Sequence, residues 1–100
     1  MKRAEDLFRD ELIKEIETRF AGSIVLKNDP DYIQGIPDLI VLYGPYWAAL
    51  ECKRSAKASH RPNQDYYIRA MDEMSFGAFI FPENKEEILD ALQRTFRIGR

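Results

Sequence analysis

Two apolar runs, Leu39-Ile40-Val41-Leu42-Tyr43 and Trp47-Ala48-Ala49-Leu50, stand on either side of Gly44-Pro45. Short runs rich in β-branched and aromatic residues, divided by a turn dipeptide, predict the two strands of a hairpin. The first run is continuously apolar, the pattern of a strand covered on both faces. The second runs on into Glu51-Cys52-Lys53. Whatever the rest of the chain does, it has to cover this hairpin and accommodate the charges at its end.

The flanking segments supply the cover. Phe8, Leu12, Ile16 and Phe20 recur every four residues, with Ile13 widening the stripe, and predict a helix from Arg3 to Phe20. Gly22 suits the left-handed position that ends such a helix. Ile24-Val25-Leu26 predicts a first strand, and Asn28-Asp29-Pro30-Asp31 followed by Gln34-Gly35 predicts a loop. Arg54 to Asn63 reads as a polar loop, and Pro62 fits the opening of a second helix to Met74, with Tyr66, Tyr67, Ala70, Met71 and Met74 as its apolar positions. Ala78-Phe79-Ile80-Phe81 predicts a fourth strand ended by Pro82, and Glu83 or Asn84 opens a last helix carrying Ile88, Leu89, Leu92 and Phe96. The order is α-β-β-β-α-β-α. With 100 residues and no repeat or linker, it predicts one α/β domain over residues 1–100.

Composition fits an ordinary globular chain, with 45% hydrophobic and 32% charged residues. No apolar run approaches the roughly 20 residues needed to span a bilayer, so no membrane partner is expected. A lone cysteine, Cys52, excludes an intrachain disulfide. The lack of a signal-peptide pattern leads to the expectation of a cytoplasmic protein. Net charge is −2, which by itself argues mildly against nucleic acid as a partner. The charge is segregated, however. Lys53, Arg54, Lys57, Arg61 and Arg69 face only Asp65 in their stretch, while the acidic excess lies on the first helix and from Glu83 to Asp90.

The chemistry concentrates where the hairpin strands end. Asp38 opens the first strand behind Pro37, and Glu51 and Lys53 sit two apart on the second, so their side chains share a face while Cys52 points away. If the turn pairs the strands, Asp38 and Glu51 are brought together. Two converging carboxylates make a hard-oxygen site suited to Mg²⁺, with Mn²⁺ able to substitute. Such an ion polarises a phosphoryl oxygen and activates water, and Lys53 beside it can stabilise negative charge or orient that water.

Gly35-Ile36-Pro37-Asp38-Leu39, followed after a hairpin by Glu51-Cys52-Lys53, resembles the signature of the PD-(D/E)XK nucleases. The G-x-P-D form with Gln64 in the following helix resembles the VRR-NUC group, which includes stand-alone phage and bacterial domains. The resemblance covers almost the whole chain and implies a restriction-endonuclease-like core, a mixed central sheet flanked by helices. It implies that Asp38 and Glu51 bind metal with help from the Cys52 carbonyl, that Lys53 is catalytic, and that Gln64 lies beside the site. It also implies a metal-binding Glu on the first helix, for which Glu5, Glu11 and Glu15 are candidates. Glu5 lies about 20° from Leu12 and Ile16 on a helical wheel and is preferred, with Glu15 behind it.

Each residue also has a plainer reading. Asp38 taken alone is a turn residue, Glu51 and Lys53 a solvated strand end, and Glu5 a favourable charge on a helix dipole. Arg54, Lys57, His60 and Arg61 would be a polar loop, or phosphate contacts if that loop borders the site. A single histidine makes no zinc site, and Tyr66 and Tyr67 read as core and rim. Taken together, the residues lead to the expectation of a Mg²⁺-dependent endonuclease acting on DNA in a bacterial or phage-infected cell. The group resemblance adds a preference for branched DNA, as in Holliday-junction resolvases, and hence a homodimer. The alternative is a nucleic-acid-binding or regulatory module that keeps the fold without turnover.

Overall fold

The computed structural model describes residues 2–98; of the domain expected over residues 1–100, Met1 and residues 99–100 lie outside the described residues. Helix α1 spans Ala4–Arg19, followed by strands β1 (Ile24–Lys27), β2 (Leu39–Tyr43) and β3 (Tyr46–Cys52). Helix α2 (Pro62–Met74), strand β4 (Gly77–Ile80) and helix α3 (Lys85–Thr95) complete the order α-β-β-β-α-β-α. The strands form one mixed sheet in the order β1-β2-β3-β4. The first three run antiparallel to their neighbours, and β4 lies parallel to β3. A parallel neighbour needs a crossover, and α2 supplies it.

The turns follow from their residues. Gly22 takes φ +93° after α1, a left-handed conformation that a Cβ disfavours. Gly44 at φ +56° precedes Pro45, whose ring holds φ negative, so Tyr43 can face Tyr46 directly across a two-residue turn.

Strand register sorts the residues onto two faces. Leu39, Leu50 and Ala78 align across the sheet, as do Cys52 and Ile80, on the face that packs under α1 and α3. Leu12 and Ile16 of α1, with Phe20 just past its end, meet Leu89 and Leu92 of α3, together with Phe96, over that face, all at 1% exposure or less. Phe96 packs edge-on to Phe20 at 5.5 Å between ring centres and stacks on Tyr43 at 5.4 Å. This is the core that the periodicity of the two outer helices predicts.

The opposite face carries Ile24, Leu42 and Trp47 in one row and Leu26, Ile40, Ala49 and Gly77 in the next. Helix α2 packs on β3 and β4 there. It rides so close that a Cβ on Gly77 would stand 2.6 Å from the Ile68 carbonyl oxygen and 2.9 Å from the Asp72 nitrogen. The β1–β2 half of this face is left open: Ile24 is 58% and Leu26 46% exposed.

Two expectations need correction. Strand β2 is not covered on both faces: Leu39 and Val41 are buried, but Ile40 and Leu42 are only half-buried because α2 sits over the other end of the sheet. The apolar face of α2 is also set differently. Ile68 is its buried residue, whereas Tyr66 and Met74 are exposed. Tyr66 lies two residues from Ile68, about 200° around the helix, and therefore points away from the sheet. Tyr66 is thus no part of the core; it meets Tyr67 edge-on at 5.0 Å.

Candidate active site

Continuing the β2–β3 register by one residue sets Asp38 opposite Glu51, and by two sets Pro37 opposite Cys52. Pro37 has no N–H to give the ladder, and its carbonyl accepts instead from Asn28 Nδ2 at 2.6 Å. The ladder gives way to side chains at this point. The Cys52 N–H donates to Asp38 Oδ2 at 3.0 Å, and the Asp38 N–H donates to Glu51 Oε1 at 3.1 Å. Each strand therefore fixes the carboxylate of the other.

Helix α2 adds the next layer. Gln64 Nε2 donates to Glu51 Oε2 at 3.0 Å, while Gln64 Oε1 accepts from Lys53 Nζ at 2.9 Å and from the Arg61 backbone N–H at 3.1 Å. Lys53 Nζ and the Arg61 N–H can only donate, so both need the Gln64 oxygen on their side, which turns the Gln64 NH₂ towards Glu51. Glu51 and Lys53 are 3% and 7% exposed, and both point to the α2 side of the sheet, two residues apart as the strand period requires. The loop that leads into Asp38 is held to the same helix by Asn63 Nδ2 on the Gln34 carbonyl, 3.1 Å. Gly35, at φ +88°, packs directly against Asn63 there, with no room for a Cβ.

These groups open into a cleft of about 410 Å³. Asp38, Glu51 and Lys53 form its floor, Gln64 and Arg61 one side, and Arg54 and Ser59 the loop edge. Glu5 lines it from α1, together with Arg3, Asp6 and Arg9. Of the three candidate first-helix acids, Glu5 is thus the one in the cleft. Glu15 instead pairs with Lys85 at 2.8 Å, and Glu11 is exposed. Of the basic residues marked for phosphate, Arg54 and Arg61 border the cleft, and Lys57 and His60 are outside its lining. His60 stacks on Phe79 with ring centres 3.8 Å apart and its Nδ1 lies 3.1 Å from Asp65.

Electrostatics mark the same pair of acids. Burial, reinforced by the charge of Asp38, pushes the Glu51 carboxyl up from its ordinary 4.5 to about 8. Burial also raises Asp38, against the opposing pull of the Cys52 N–H and the Arg9 guanidinium. The Cys52 thiol is raised as well, by burial first, and is completely enclosed, which fits a small core residue rather than a nucleophile.

Among the described residues no three His, Cys, Asp or Glu side chains stand close enough to form a ready-made metal cage. The donor set still suits a hard divalent cation. Mg²⁺ is commonly held by one or two carboxylates and keeps several waters, and an open cleft leaves room for them. A buried Glu51 whose carboxyl is raised further by the neighbouring Asp38 is also an arrangement that a cation relieves. Asp38 and Glu51, with the Cys52 carbonyl and Glu5, are the residues that would hold it.

The sequence reading missed α1 as a source of cations. Arg9 follows Glu5 by four residues, which places both on one helix face, and that spacing was the available signal.

No family model, curated protein or solved structure matches the chain.

Proposed function

We propose that this protein is a Mg²⁺-dependent endonuclease of the PD-(D/E)XK type, similar to the VRR-NUC group, that hydrolyses phosphodiester bonds in DNA. The observation that carries the reading is the hydrogen-bonded series from Lys53 Nζ through the Gln64 amide to Glu51, which faces Asp38 across the hairpin. The element order and the meeting of Asp38, Glu51, Lys53 and Gln64 support the motif resemblance as well.

A bound divalent cation would supply charge that polarises the phosphate and lowers the pKa of the attacking water. Asp38 and Glu51 would hold that cation, and the backbone N–H groups of Cys52 and Asp38 keep the two carboxylates in position. Lys53 spends one of its three N–H bonds on Gln64 and has the others for the attacking water or the charge developing on phosphate. Gln64 is a positioning residue that keeps amine and acid at a fixed separation. Arg54 and Arg61 border the path of the phosphate backbone.

A preference for branched DNA and a homodimer belong to the same proposal. The open half of the sheet, with Ile24, Leu26, Ile40, Leu42 and Trp47, carries no charged strand position. Such a patch can meet its own copy across a two-fold axis without like-charge opposition.

The test is cleavage of labelled four-way junction, flap, single-stranded and linear duplex DNA in Mg²⁺, Mn²⁺ or EDTA, with Asp38→Ala and Lys53→Ala alongside. Metal-dependent cutting lost in both variants is expected. Wild-type protein that cuts nothing in either metal would overturn the enzyme reading.

A further inference from the structure

The cations that the mechanism above uses border the cleft from the end of β3 and the loop that leads into α2. The opposite wall, α1, carries another that the mechanism above does not use. Arg9 stands one helical turn beyond Glu5 and lines the same cleft. Its side chain is only 25% exposed, and one guanidinium nitrogen, Nη2, lies 3.3 Å from Asp6 Oδ1. Its Nε is buried and has no hydrogen-bond partner among the described residues.

A guanidinium placed only to offset nearby carboxylates would be expected to spend its donors on them. Arg9 leaves one unspent in a site where buried donors are nearly always satisfied. Nε and the neighbouring Nη form a planar fork whose spacing matches two oxygens of a phosphate.

We infer that Arg9 binds a phosphate group of the nucleic acid, so that the strand is gripped between α1 on one side and Arg54 and Arg61 on the other. This rests on the nuclease reading and adds a contact that the motif does not contain. The ligand chemistry is a phosphate oxygen pair, either an internal phosphodiester or a terminal monoester.

The test is binding rather than turnover. Dissociation constants for labelled single-stranded and four-way-junction DNA are measured over a NaCl series with Ca²⁺ in place of Mg²⁺, gels confirming that the DNA stays intact. The proteins are wild type, Arg9→Gln, Arg9→Lys and Arg94→Gln, the last removing an exposed α3 charge that does not line the cleft. Loss of one phosphate contact makes the slope of log K against log salt shallower by about 0.9 on duplex and about 0.7 on single strands.

Arg9→Gln should show that change and bind more weakly on every sequence. Arg9→Lys, which keeps the charge without the fork, should keep the slope at reduced affinity. Arg94→Gln should match wild type in both. Circular dichroism shows whether Arg9→Gln is folded; if it is not, Arg9→Lys alone decides, and wild-type affinity in that variant overturns the fork. Oligonucleotides with and without a 5′-phosphate separate the two sources, since only a terminal site distinguishes them. Arg9→Gln with a wild-type slope, in a wild type that binds and cuts, overturns the role of Arg9 alone. A wild type that neither binds nor cuts DNA overturns the nuclease reading and this inference with it.

Discussion

Replacing Glu51 by Gln should stabilise the protein at neutral pH, and the structure gives the size and the pH window. Glu51 titrates near 8 in the folded chain against an ordinary 4.5. Between those values the folded chain keeps a proton that the unfolded chain has released. Stability is therefore fully present below pH 4.5 and is lost as pH rises towards 8. Each pH unit in that window costs about 1.4 kcal/mol, and with a discount for solvent at the cleft mouth the loss at pH 7 is about 2–3 kcal/mol.

The Gln variant escapes that loss at a price. Its amide keeps an oxygen for the Asp38 N–H, but its NH₂ then faces the Gln64 NH₂, and one hydrogen bond worth about 1 kcal/mol is gone. The net gain at pH 7 is about 1–2 kcal/mol, which for a chain of this length raises Tm by roughly 5–10 °C. The assay is thermal unfolding followed by circular dichroism from pH 5 to pH 9 for both proteins without metal. They should melt close together near pH 5 and separate as pH rises, wild type falling below the variant. Mg²⁺ added above pH 7 should raise the wild type alone, because ligands that bind only the native state stabilise it. A wild-type Tm that stays level with or above the variant from pH 6 to pH 8 would refute the view that burial of Glu51 strains the fold.

Gly77→Ala sets a methyl against the α2 backbone and should cost about 2–3 kcal/mol, read as a lower urea midpoint with an unchanged m-value. Asn84→Ala removes two bonds to the end of β4, Nδ2 to the Phe79 carbonyl and Oδ1 from the Phe81 N–H, and should cost about 2 kcal/mol in thermal unfolding. If the proposed dimer forms through the open sheet face, Ile24→Lys combined with Leu26→Lys should give a folded monomer in light scattering where the wild type is a dimer; a variant that keeps the dimer mass would move the interface elsewhere.

The parts legible in the sequence were those governed by period and turn chemistry. Leu12, Ile16 and Phe20 repeat at a helical interval, and Gly44-Pro45 separates two apolar runs, so α1, β2 and β3 follow from local pattern alone. The pairing of Asp38 with Glu51 followed from the hairpin, and Gln64 followed from the resemblance. What escaped depended on how elements sit against one another. Tyr66 and Ile68 are both apolar enough to face a sheet, and only the placement of α2 over β3 and β4 decides for Ile68. The continuous run in β2 looked the same whether one face or two were covered. The four-residue spacing of Glu5 and Arg9 sets both on one helix face, but only the packing of α1 against the sheet brings that face to the cleft of Asp38 and Glu51.

Pro37 has a consequence for folding as well as for chemistry. Slide β2 along β3 by two residues and Pro37 would stand opposite Leu50, inside the ladder, where it can give no hydrogen bond. A slip by one residue would turn Leu39 and Val41 outward and leave the α1–α3 face without its filling. Both misalignments are penalised, one by a missing donor and the other by exposed side chains. The residue next to Asp38 thus acts as a stop on the hairpin, and in choosing the alignment it also chooses which two acids the fold sets face to face.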